Sequence, residues 1–251
     1  MIKIRLIPLL QLYESSVVKT RQFLNHRVVG DAISTIKIFS KRMADEMIIV
    51  DIKASKTKKI NFSFIKKISR ECIMPLTIGG GISCMRDVDK LFECGADKII
   101  INSMYFDNKK LIKTISKKYG NQAIVFSMDL IKDKQGYRFF SNSKRKTSGL
   151  VNLDIFFKEI KKLGVGEIFL NSVLQDGTMN GYDYNLIKKV TSKINLPVIA
   201  AGGCGNKGDC VKAITYGANA VAAGSIFFWV GESVISVKKY MAHKNLKVRL
   251  I

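Results

Sequence analysis

Residues 196–227, LPVIAAGGCGNKGDCVKAITYGANAVAAGSIF, hold the chain's clearest chemical signal. An apolar run of strand length, Pro197–Ala201, meets Gly202, Gly203 and Gly205. A helix-period segment follows and stops at Gly217, and a second apolar run, Ala220–Ala223, ends in Gly224-Ser225. Parallel strands joined by a helix bring both glycine turns to one sheet edge. There, backbone N–H groups without side chains in the way can close on an anion, helped by a helix start. The turns are therefore a candidate phosphate cup, the plain alternative being ordinary tight turns. The pattern occurs twice: residues 74–103 carry Gly79-Gly80-Gly81, Gly95-Ala96-Asp97 and then Asn102-Ser103 behind Ile99–Ile101. Two cups on one face suit a ligand with a phosphate at each end.

Between the cups stands a carboxylate. Asp129 follows the apolar run Ala123–Met128 and is expected at a strand's C-terminal end. Desolvation there would raise its pKa toward the range of general acid–base catalysis, the alternative being a carboxylate that caps a turn. Gln11, Asp51, Asn171 and Ser172 occupy the same kind of position, and Asp176-Gly177-Thr178 follows close behind. Asp-Gly is also a common turn pair. At the opposite, N-terminal ends, Arg5, Glu46, Lys98 and Glu167 fall at or near the starts of four strands. Buried charges must pair, so these four are expected to form a ring closing the floor. Such a ring is either a structural plug or a gate for a small neutral molecule.

The elements needed to position these groups are legible as alternating runs. Strands are expected at Ile4–Leu10, Met47–Asp51, Leu76–Ile78, Lys98–Ile101, Ala123–Met128, Glu167–Leu170, Val198–Ala201 and Ala220–Ala223. They are short and continuously apolar, as for parallel strands covered on both faces. Helix-period segments lie between them, and Ser233–His243 closes the chain. With the half-chain repeat, this predicts one α/β domain over 1–251, a (β/α)8 TIM barrel with half-barrels of about 1–120 and 121–251. Residues 12–31, with Lys19, Arg21, His26 and Arg27, exceed what a barrel needs and are expected as a mobile lid or a solvated insertion. Residues 131–149, with Lys144-Arg145-Lys146, are expected as a small hairpin over the same face.

Composition narrows the classes. No apolar run reaches the roughly 18 residues of a membrane span, and the first residues read as a strand, not a signal peptide. Five cysteines without a C-x-x-C pair, and two histidines, argue for reduced thiols in the cytoplasm and against a metal site. The net charge of +22 comes from lysines spread over nearly every helix. No aromatic-interleaved basic stripe appears, so a specific nucleic-acid surface is not expected.

The motifs I-P-L-L with V-V-K (7–19), DEMIIVDI-AS (45–55), PLTIGGGI (75–82), GADKIIINS (95–103), GNQAIVFSMD (120–129), GEIFLNSVLQDGTMNGYD (166–183), PVIAAGGCG (197–205) and GANAVAAGSIF (217–227) span nearly the whole chain. Together they resemble the HisF-like branch of the histidine-biosynthesis barrels, the cyclase subunit of imidazole glycerol phosphate synthase. The resemblance implies a glutaminase partner at the N-terminal face, with Asp97 near that interface. Ammonia would pass Arg5, Glu46, Lys98 and Glu167 to reach a bisphosphorylated ribulosyl aminoimidazole carboxamide. It also implies phosphate and substrate binding by Lys19, Gly81, Asn102, Ser103, Asp176, Gly177, Gly203, Gly224 and Ser225, with no cofactor.

The family's catalytic pair is only half present. Asp129 matches one aspartate, but Gln11 stands where the other is expected, and Asn171 and Leu174 replace a threonine and an aspartate. Gln11 cannot exchange a proton near neutral pH. Three readings follow: an altered cyclase, a binding-only scaffold, or a paralogue. The paralogue would supply ammonia, with a glutaminase and a sugar amidotransferase, for amidination of an acetamido sugar in surface-polysaccharide synthesis.

Overall fold

Eight parallel strands close on themselves in the computed structural model, which describes residues 3–141 and 146–250. The chain runs through β1 (Arg5–Tyr13), β2 (Ser16–Thr20), β3 (His26–Asp31), α1 (Ala32–Lys41), β4 (Met47–Asp51), α2 (Ile52–Thr57) and α3 (Phe62–Glu71). It continues through β5 (Leu76–Gly79), α4 (Met85–Glu93), β6 (Lys98–Ile101), α5 (Met104–Asp107), α6 (Lys109–Tyr119) and β7 (Ile124–Lys132). The second half holds β8 (Tyr137–Ser141), β9 (Lys146–Leu150), α7 (Leu153–Leu163), β10 (Glu167–Ser172), α8 (Tyr184–Thr191) and β11 (Val198–Ala201). It ends with α9 (Lys207–Thr215), β12 (Ala220–Ala223), α10 (Ser225–Trp229) and α11 (Val234–His243). Strands β1, β4, β5, β6, β7, β10, β11 and β12 form the barrel, closed by β12 against β1. This is the (β/α)8 TIM barrel. No helix among the described residues is long and apolar enough to cross a membrane.

Period-2 alternation sorts each barrel strand into two faces. On β1, Leu6, Leu10 and Leu12 join the outer core beneath the helices, while Ile7 and Leu9 belong to a separate inner cluster. That cluster also takes Ile48, Ile100, Val125, Phe169, Ile199, Ala201, Ala220 and Ala222. By the same alternation Arg5, Glu46, Lys98 and Glu167 face inward one step below it. Gln11, Asn102, Asp129 and Asn171 face inward above it.

The helices begin where short polar residues can take over unpaired N–H groups. Asp31, Asp51, Asn61, Asn108, Asn152, Asp183, Asn206 and Ser233 each accept from a first-turn backbone N–H. The duplication extends to hydrogen bonds. The Asp97 carboxylate accepts from Leu76 N at 2.8 Å, and the Asn219 side chain accepts from Val198 N at 2.9 Å. Asp87 and Asp209 close matching capping boxes on α4 and α9.

The 12–31 insertion differs from the expected loose lid. Strand β1 runs on to Tyr13 and pairs antiparallel with β2, which pairs with β3, so the insertion is a hydrogen-bonded ribbon growing out of a barrel strand. Its tip is fastened down: Gln22 N donates to Asp176 O at 2.8 Å, and the Gln22 amide donates to Leu174 O at 2.9 Å. The second insertion is the expected hairpin, β8 and β9 built on an extended β7. Lys144 and Arg145 lie outside the described residues. The short helices α2, α5 and α10 at the strand ends were not anticipated.

One buried ion pair ties the C-terminal helix to the barrel floor. Lys238 Nζ reaches Asp45 at 2.7 Å, with side chains 4% and 9% exposed, while Asp45 also accepts from Leu6 N at 2.9 Å. Removing one member leaves the other charge uncompensated. Asp45→Ala should therefore cost about 3–5 kcal/mol in urea unfolding, and the Asp45→Ala/Lys238→Met double variant should recover part of that loss.

Candidate active site

The inner face ends upward in a polar cluster centred on Asp129. Its carboxylate is 4% exposed and accepts from Ser127 Oγ at 3.0 Å and from Asn102 Nδ2 at 3.1 Å. Burial pushes the Asp129 pKa up to about 7, against the opposing pull of hydrogen bonds from Ser127 and Asn171; the nearby Asp176 charge raises it further. No cation pairs with it among the described ion pairs. The carboxyl group therefore exchanges its proton near neutrality. Asn102 Oδ1 and Asn171 Oδ1 are buried beside it without a hydrogen-bond partner. Such acceptors are costly when unmet and suit donors on a bound molecule.

The first cup opens into the same space. A cavity of about 60 Å³ is lined by Gly80, Gly81, Asn102, Ser103, Ser127 and Asp129, among others. Gly81 has a φ of +79°, and a Cβ there would lie 2.8 Å from Ala54 O, so only glycine fits. Lys58 Nζ reaches Ser103 Oγ at 3.3 Å, supplying a cation that sequence patterning did not single out.

The second cup forms from β11 and β12. Gly203 has a φ of +102°, and any Cβ would collide with Gly181 O. Lys19, on β2, comes from the far end of the chain to sit here. Its Nζ donates to Leu9 O at 2.8 Å and lies so close to Gly224 that a Cβ there would strike it. Burial lowers the Lys19 pKa to about 8, with Asp176 working the other way. Ser225 opens α10 next to Gly224.

Gln11 is placed differently from Asp129. Its amide is committed to Thr20: Nε2 donates to Thr20 Oγ1 at 3.1 Å, and Oε1 accepts from Thr20 N at 3.2 Å. Thr20 Oγ1 in turn donates to Asp176 Oδ2 at 2.8 Å. Burial raises the Asp176 pKa, while Thr20 and Lys19 oppose the rise. Gln11 lines a cavity of about 330 Å³ with Phe23, His26 and Lys56, on the hairpin side of the mouth. Thr20 and Ser127 were missed by sequence reasoning; the only hint was period 2, which puts Ser127 on the inner face with Asp129. Asp51 is spent as the cap of α2, accepting from Ala54 N at 2.7 Å.

At the floor the four charged residues meet. Arg5 bonds Glu46 at 2.8 Å and also Glu167; Lys98 reaches Glu46 at 3.1 Å and Glu167 at 3.2 Å. Burial works against the Arg5 charge, but Glu167 and then Glu46 outweigh it and hold the guanidinium's pKa above its usual value. Asp97 is exposed at this end and bonded to Leu76 N, so its carboxylate already has a structural task.

The lowered Lys19 pKa has a measurable consequence. Its charged form, the one that attracts an anion, is lost as pH rises through about 8. Inorganic phosphate affinity, followed by calorimetry, should fall across that range, and Lys19→Met should abolish the fall.

Comparison with known proteins agrees with this architecture. A family model described as histidine biosynthesis protein matches residues 5–231. An imidazole glycerol phosphate synthase subunit HisF of Dictyoglomus turgidum is 38% identical over 248 residues, 98% of either chain. A putative imidazole glycerol phosphate synthase subunit hisF2 of Campylobacter jejuni is 36% identical over 251 residues, the whole of both chains. A putative HisF subunit of Leptospira borgpetersenii is 38% identical over 237 residues, 92% of each. The chain belongs to the histidine biosynthesis protein family as a divergent, HisF-like member.

Proposed function

We propose that the chain is the cyclase-type subunit of an imidazole glycerol phosphate synthase-like amidotransferase. It takes ammonia from a glutaminase partner at the barrel floor and uses it on a bisphosphorylated ribulosyl aminoimidazole carboxamide. The observation that carries the reading is Asp129, buried between two glycine cups with its carboxyl poised near neutrality.

Each part of the inner face fits a step. The cups and their lysines hold an anion at either end, fixing the acceptor across the mouth. The inner layer between floor and mouth is apolar. It admits neutral ammonia far more readily than ammonium, since an unpaired charge there would be heavily penalised. The ring of Arg5, Glu46, Lys98 and Glu167 would screen entry. As a carboxylate, Asp129 accepts a proton from the adding nitrogen; as the acid, it returns a proton to the departing group.

A second reading is favoured by one observation. Gln11, locked to Thr20, offers no proton where the family resemblance implies an aspartate. In this reading the chain is a paralogue that delivers ammonia to another acceptor, an acetamido sugar handled by a separate amidotransferase.

The test is turnover of the purified chain with ammonium salt and the bisphosphorylated substrate, at constant free ammonia. If Asp129 is the base, the rate rises with pH through about 7. Asp129→Asn should lower it by about 10²–10⁴-fold, and Gln11→Asp should raise it. Absence of substrate binding would defeat the first reading and leave the second. With a glutaminase present, Arg5→Ala should alter the glutamine-dependent rate while leaving the ammonium-dependent rate nearly unchanged.

A further inference from the structure

Behind the second cup, in the outer core beneath the helices, two thiols meet. Cys204 stands in the cup turn between Gly203 and Gly205, and Cys210 lies early in α9. Their sulfurs are 3.5 Å apart, with the residues 5% and 0% exposed. Among the described residues this is the only sulfur–sulfur contact; the Cys72 and Cys94 thiols instead donate to Met74 O and Phe62 O. No third His, Cys, Asp or Glu joins the pair in a metal-holding group among the described residues. The chemistry open to it is that of two thiols.

The turn that carries Cys204 has little slack. A Cβ on Gly203 would collide with Gly181 O and one on Gly205 with Met179 O, and Gly181 N donates to Gly203 O at 2.8 Å. Gly205 N and Asn206 N both donate to the Asp209 carboxylate at the start of α9, at 2.9 and 3.0 Å. The Tyr182 hydroxyl, buried beside both sulfurs, donates to Ala222 O on β12 at 3.0 Å. A disulfide needs its sulfurs about 2.0 Å apart, so bonding would draw the cup turn and α9 together by about 1.5 Å. In a close-packed interior that movement is passed on to the backbone of the cup.

We propose that Cys204 and Cys210 are a reversible modification site, oxidised by a hydroperoxide to a disulfide that loosens the second cup. Cys204, the less buried of the two, takes one peroxide oxygen and becomes a sulfenic acid, while the other oxygen leaves as water or an alcohol. The Cys210 sulfur then displaces the sulfenic oxygen, which departs as water. The pair has lost two electrons and two protons, the peroxide O–O bond is broken and reduced, and two molecules of a small thiol reverse the change. The contact with Cys204, and then burial, push the Cys210 thiol's pKa up, which keeps it protonated until its neighbour has reacted. The bond itself requires no ligand; its effect on anion binding rests on the second cup as read above.

The test uses the full chain carrying Cys84→Ser, which removes the exposed thiol and leaves a residue suited to capping α4. Stoichiometric hydrogen peroxide is added, the remaining thiols are alkylated, and peptides are mapped by mass spectrometry. A Cys204–Cys210 cross-link, lighter by two hydrogens, should appear and should vanish with dithiothreitol. Calorimetry with inorganic phosphate should show the Lys19-dependent binding weakened about tenfold by oxidation, the loss of one hydrogen bond to a charged group. Cys204→Ala and Cys210→Ala should each make phosphate binding indifferent to peroxide. Peroxide that oxidises Cys72 or Cys94 while the pair stays free would overturn the proposal, as would a cross-linked chain that binds phosphate as tightly as the reduced one. A reduced chain that binds no phosphate would sink the cup reading and the regulation with it, while the peptide map still decides the bond.

Discussion

Everything at the two ends of this barrel depends on the pleat of its strands. Because successive side chains leave a strand on opposite faces, one inward row per strand must serve floor, interior and mouth in turn. On β1 that row reads Arg5, Ile7, Leu9, Gln11; on β6 it reads Lys98, Ile100, Asn102; on β10 it reads Glu167, Phe169, Asn171. A one-residue slip would place the charges under the helices, Leu6 at the floor, and Leu10 and Leu12 in the mouth. Closure of β12 on β1 and β7 on β10 locks the register, so the charged floor and polar mouth are held on one axis.

The two ends handle buried charge in opposite ways. At the floor each cation touches two carboxylates and each carboxylate two cations, so the low dielectric strengthens attraction and the groups stay charged. At the mouth Asp129 has amide and hydroxyl neighbours but no cation paired with it among the described residues, and Lys19 has one backbone carbonyl and a distant Asp176. Desolvation dominates there, moving an acid up and a base down toward the same neutral range. A folded interior that merely sought stability would pair or remove these groups. Leaving them unpaired makes sense if charge arrives with a ligand.

The two halves repeat their scaffolding more faithfully than their chemistry. Cup glycines, capping boxes and the Asp97 and Asn219 latches recur. The carboxylate of β7 does not recur on β1, where Gln11 stands instead and is absorbed into the hairpin through Thr20. The hairpin thereby holds a group facing the mouth, and it also brings Lys19 to the opposite cup. Both insertions grow out of extended barrel strands, so their positions are tied to the sheet.

The amino-acid sequence determined the strands, most of the helices, the cups and the four floor charges, because each rests on local spacing. Short β-branched runs, Asx caps and glycine pairs are properties of neighbouring residues, and the repeat doubled the signal. Tertiary structure decided which groups meet. Nothing near Lys19 in the chain points to Gly224, nothing near Thr20 points to Asp176, and Lys58 reaches Ser103 only because α2 ends in a left-handed turn. Asp51 and Asp129 both follow apolar strands, yet one caps a helix and the other is left without a cation in the mouth. The physical reason is that a pKa or a hydrogen-bond partner depends on distance through space and on excluded water, which closure of the barrel sets and local spacing does not.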